Sequence, residues 1–177
     1  MPTKNFSSIG GFAVGSTEIV NTSYELKNIS AIHMVSDNFA DATHDKYLVK
    51  RVTDAANNTL QLTLDGTTAL AENTPALAAD RVSFIKARVF GQETTSNEYV
   101  YATVFDIVVT TANDGTPTVA SSYENIIRNN PPGQEVWNVT PDAFQIGSAP
   151  FFTFEVKSVT TNSTVKWIGI LDITVVS

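Results

Sequence analysis

An all-β fold, a β-sandwich or jelly-roll-like domain preceded by an extended N-terminal arm, is predicted by three features of the 177-residue sequence. Apolar and polar residues alternate in runs of about eight to twelve residues separated by turn clusters. No window keeps apolar residues at three-and-four spacing between a cap and a glycine stop, so helical bundles and βαβ units fit poorly. Charged residues make up only 16% of the chain and hydrophobic residues 42%. That balance suits strands better than exposed helices, which carry Glu, Lys and Arg on their outer face.

The elements follow in order. Residues 1–45 hold Gly10, Gly11 and Gly15 and only scattered hydrophobes such as Leu26, Ile29, Ile32 and Met34. Such a segment cannot offset its own ordering entropy, and reads as an attachment and oligomerisation arm that orders on other chains. The polar run Asp37 to Asp45 is expected to be a loop. A β-domain is then predicted over 46–177. Leu60, Leu62 and Leu64 alternate with polar residues and run into the turn Asp65-Gly66. Pro75 argues against a helix in the Ala-rich stretch from Ala69 to Ala79. Arg81 to Phe90 is a strand with Ile85, Ala87 and Val89 on one face and Phe84, Lys86, Arg88 and Phe90 on the other; Lys86 and Arg88 are expected to be solvated. Tyr99 to Thr110 is apolar on both faces, as in a central strand or one covered by a neighbouring subunit, and Asn113 to Pro117 closes it. Residues 151–176 are predicted to form a hairpin, with Trp167 buried beside Val165, Leu171, Ile173 and Val175.

Composition excludes several classes of function. The net charge of −7 repels phosphate backbones and anionic membrane surfaces, so no nucleic-acid partner is expected. Cysteine is absent, which removes disulfides, thiolate catalysis and cysteine-ligated zinc. No run of about eighteen apolar residues is present, so no membrane insertion is expected. Met1 to Gly11 does not read as a secretory signal, and synthesis in a cytoplasm is the expectation.

The search for chemistry predicts no catalytic, cofactor-binding or metal site. The two histidines, His33 and His44, lack metal-ligand spacing. Asp37, Asp41 and Asp45 recur every four residues and offer oxygen ligands of the kind calcium takes, but read as a solvated turn. The Gly-x-Ser-x-Gly elbow and the phosphate-cradling loop are both missing. Glu93, Glu98, Glu124, Glu135 and Glu155 are scattered over strands and turns, where carboxylates usually face water. Tyr123, Trp137 and Phe144 are the candidates for stacking a saccharide ring, set against a reading of all three as core or interface residues.

Two segments carry a resemblance. Gly11-Phe12-Ala13-Val14-Gly15-Ser16-Thr17-Glu18-Ile19-Val20, followed by Leu26 to Ile32, resembles a short repeat of fibre-like proteins in phages of marine bacteria and cyanobacteria. Residues 70–177, with Phe84 to Val89, Tyr99 to Thr111, Glu135 to Val139 and Thr164 to Leu171, are similar to a β-rich domain of tailed-phage fibres and tailspikes. Gly169 stands where that domain usually has Ala. The resemblance implies a non-enzymatic virion structural protein: a fibre or appendage subunit, assembled as a homotrimer with other virion proteins and contacting a host-surface glycan. A capsid decoration protein and a free carbohydrate-binding module are the alternatives.

Overall fold

In a computed structural model of the chain, the described residues are 12–14, 17–20, 29, 31–36, 39–54, 59–159 and 163–176. Two compact units divide at Ser30/Ala31. In the first, β1 (Phe12–Val14) pairs antiparallel with β2 (Thr17–Val20).

The second unit is an antiparallel β-sandwich, as expected. One layer has six strands: β3 (Ala31–Ser36), β4 (Phe39–Thr53), β6 (Arg81–Glu93), β7 (Val100–Thr111), β8 (Pro117–Asn130) and β11 (Val165–Val176), in the order β3-β4-β11-β6-β7-β8. The other has three: β5 (Thr59–Gln61), β9 (Val136–Ile146) and β10 (Ala149–Val159), in the order β5-β10-β9. The pleat sends alternate side chains to opposite faces. Along β6 and β11 the odd-numbered residues from Ser83 and Val165 onward are therefore buried, and the even-numbered ones are left outside or half covered. The inner faces meet through aromatic rings: Phe105 on β7 against Phe154 on β10, with centroids 4.9 Å apart, and Trp167 on β11 against Trp137 on β9 at 5.9 Å.

Trp167 lies directly opposite Gly91 on β6, which in turn lies opposite Tyr101 on β7. A Cβ on Gly91 would sit 2.5 Å from the indole Cζ3, so only glycine lets the ring cross β6 and meet Tyr101 edge-on at 5.9 Å. Gly169 has the same cause: a Cβ there would come within 2.8 Å of Val49 Cγ2. The indole N–H of Trp167 donates to Thr53 Oγ1 (2.9 Å), and Thr53 shares a further hydrogen bond with Ser158 on the opposite layer (2.7 Å). The buried polar atoms at this seam are thus satisfied.

Three expectations need correction. Residues 151–176 are not a hairpin: β10 pairs with β9 and β5, whereas β11 lies between β4 and β6 in the other layer. Phe151, Phe152, Thr153 and Phe154 are all buried, so β10 is covered on both faces, while its strand pairing stays within its own layer. The polar run ending at Asp45 is not a loop, because Phe39 to Asp45 belong to β4, where Phe39 pairs with Ser36 and Thr43 to Asp45 have cross-strand partners on both sides. For the same reason 45/46 falls inside a continuous strand and does not separate the compact units. Asp37 lies outside the described residues.

Candidate functional site

The outer face of the six-stranded sheet is where apolar chemistry remains uncovered. Even-numbered residues of β4, β6 and β11 point there by the pleat. They include Leu48, Phe84, Phe90, Ile168 and Ile170, all of them exposed, with Phe84 at 50%. Single exposed hydrophobes are ordinary, but a contiguous set on one sheet face marks an interaction surface.

One row of charges crosses this face. Lys46 on β4 is opposite Asp172 on β11, Asp172 is opposite Lys86 on β6, and Lys86 is opposite Asp106 on β7. Lys46 is bonded to Asp172, and Lys86 Nζ lies 3.7 Å from Asp106 Oδ1. His44 Nε2 adds a 3.4 Å approach to Asp172. Such exposed pairs contribute little stability, about 0 to 1 kcal/mol each. What they fix is an alternation of sign across four adjacent strands. A shallow open groove follows the row, lined by Lys46, Lys86, Arg88, Val104, Asp106 and Ile170.

The structure separates the three candidate stacking residues. Tyr123 lies on the edge strand β8, 66% exposed, and extends the charge row beyond Asp106. Phe144 is half-buried, with its ring 6.2 Å from Phe151 across the β9–β10 pair. Trp137 is 2% exposed and belongs to the core, its indole N–H donating to Glu135 Oε2 (3.0 Å), so no saccharide ring reaches it.

The titratable candidates are dispersed. His33 is bonded to Asp45 across β3 and β4, whereas His44 shares a hydrogen bond with Thr174 at 2.8 Å. Neighbouring strand positions point to opposite faces, so the two imidazoles do not converge. No group of three or more His, Cys, Asp or Glu able to hold a metal occurs among the described residues. Asp45 lies next to Tyr47, whose phenol is pushed up to about 12 by burial and by the charge of, and hydrogen bond to, Asp45.

Glu93 accepts from the N–H and hydroxyl of Thr95, and Glu124 from the hydroxyls of Tyr101 and Thr103. Burial and the Glu124 contact push the Tyr101 phenol upward. Glu98 is exposed. Glu135 accepts from Ser163 as well as Trp137. Glu155 is raised by burial and by Asp142, which accepts a 2.7 Å hydrogen bond from Gln61. Among the described glutamates, Glu155 is the one whose carboxyl is raised, in the direction a general acid requires.

Sequence reasoning missed Asp106 and Asp172; Lys86 is solvated as expected, with its side chain 82% exposed. Only register places these three residues beside Lys46 in one row.

Fold and surface together define an antiparallel β-sandwich with one sheet face uncovered. Two solved structures resemble it: a tailspike of Acinetobacter baumannii bacteriophage Fri1, described as a capsular polysaccharide depolymerase (14% identity, 80% of this chain, 19% of that chain, TM-score 0.40), and a tailspike of Acinetobacter baumannii phage AM24 (13%, 73%, 26% and 0.31). The chain therefore spans about a fifth to a quarter of the length of those tailspikes. No protein-family model and no curated protein matches the chain.

Proposed function

We propose that the chain is a non-catalytic structural subunit of a tailed-phage virion, part of a fibre or appendage that presents a β-sandwich toward the host surface and assembles with further copies of itself. The observation that carries the reading is the half-exposed apolar face of the six-stranded sheet, a surface suited to being covered by another protein. The phage setting rests on the resemblance of residues 11–32 and 70–177 to fibre and tailspike sequences. Host contact falls to the exposed edge strand β8, where Tyr123 offers an aromatic face to a saccharide ring.

Electron microscopy of phage particles with gold-labelled antibody against this chain tests the assignment. Label on the tail is expected. Label on the capsid would favour the decoration alternative, and unlabelled particles would overturn the virion reading. Incubation with host surface polysaccharide should leave its chain length unchanged. Shortening that is lost in Glu155→Gln would show the protein to be a hydrolase.

A further inference from the structure

We propose that the outer face of the six-stranded sheet is the surface on which a second copy of this chain packs, face to face, about a two-fold axis running along the strands between β11 and β6. The inference deepens the reading of the chain as a self-assembling subunit, replaces the threefold assembly that the resemblance implies with a twofold one, and is independent of any host-surface role.

The charge row selects this geometry. From β4 to β7 it reads Lys46, Asp172, Lys86, Asp106, so its signs invert when it is read from the other end. A two-fold axis parallel to the strands reverses the order of the strands while keeping each row at its own height. Lys46 then faces the second copy's Asp106, and Asp172 faces the second copy's Lys86. An axis perpendicular to the strands would set every charge against itself, which like-charge repulsion disfavours.

The same axis passes through the centre of the sheet, because β11 and β6 are its third and fourth strands of six. Ile32 and Tyr123, the two ends of the charge row on β3 and β8, then face each other between copies. In the row that contains Ile168 and Phe90, each of these two side chains meets the other on the second copy. Packed sheets cross at about 30°, so matching is tightest near the centre, where the charge row lies. Apolar cover supplies the affinity, and the charges set orientation and partner, since buried ion pairs roughly break even in energy.

The test is sedimentation of the full chain at micromolar concentration, together with charge reversals. A dimer, or an even multiple, is expected for the parent; a monomer or a trimer overturns the proposal. K86D and D172K should each raise the dissociation constant at least tenfold, because each sets like charges opposite one another across the axis. An equimolar mixture of the two should recover dimers, since each variant carries the sign that the other has lost. Single variants that dimerise like the parent, or a mixture that stays monomeric, would overturn it. The Lys86 side chain is 82% exposed, so K86D should fold. K46D and D106K repeat the test with the outer pair if D172K, which loses contacts to Lys46 and His44, does not fold. Failure of particle labelling with the dimer intact would strike only the virion reading.

Discussion

At the residue scale the core depends on aromatic rings whose space is created by glycine. Trp167 is 1% exposed and touches Tyr101 and Trp137 through edge contacts. Trp167→Ala should cost about 3 to 5 kcal/mol, read as a lower denaturation midpoint at unchanged slope. Gly91→Ala should destabilise by about 1 to 3 kcal/mol through overpacking of the same ring, with a shifted tryptophan emission as the local readout. Burial of Trp167 was legible because its face is shared with Val165, Leu171, Ile173 and Val175. Trp137 was not, since Val136 beside it is equally apolar yet exposed, and only the position of β9 over β11 decides which of the two turns inward. Asp65 illustrates a turn read correctly from Asp65-Gly66: its carboxylate accepts from the Thr67 N–H and from Asn73, and sits at about 2 against an ordinary 3.8. A depressed carboxylate stabilises the folded state above its unfolded pKa, and this contribution fades as pH falls through the folded one. Asp65→Asn should therefore melt below the parent at neutral pH, and the gap should close between about pH 4 and pH 2 in thermal scans.

Individual strands were legible wherever one face alone is buried. β6 alternates along nearly its whole length, and its faces match the reading of Ile85, Ala87 and Val89 as core. β10 carries no such alternation from Phe151 to Phe154, and a strand covered on both faces does not reveal its partner. The β10–β11 connection therefore looked like a hairpin although it changes layers. β8 is a long edge strand with Tyr123, Ile126 and Ile127 exposed, and register shifts at Ala102/Thr103 and Val108/Val109 interrupt its pairing with β7. Bulges of this kind twist an edge away from indiscriminate pairing. At this scale the compact unit beginning at Ala31 should fold alone. A chain truncated to residues 31–177 should keep a β-type circular dichroism spectrum and a cooperative melt. Truncation to 46–177 should melt far lower, because it removes β3 and part of β4.

On the scale of the whole molecule, stability and association are linked. If two copies cover each other's sheet faces, the folded dimer is favoured by mass action and the melting temperature rises with protein concentration. Differential scanning fluorimetry across a hundredfold concentration range should show that rise for the parent and a flat response for K86D. The net charge of −7 acts at longer range, opposing adsorption to polyanionic surfaces, an effect that added salt weakens.

The sequence by itself determined the all-β class, the positions of β5, β6, β7, β10 and β11, the buried face of β6 and β11, and the lack of cysteine chemistry. These follow from local rules of pleat, propensity and turn residues, which need only neighbours in the chain. Tertiary structure alone decided which strands share a layer, where the compact unit begins, and that Lys46, Asp172, Lys86 and Asp106 form one row. Those four come from strands far apart in sequence, and their alternation depends on hydrogen-bond register, since a slip of one residue would send a whole strand's side chains to the opposite face.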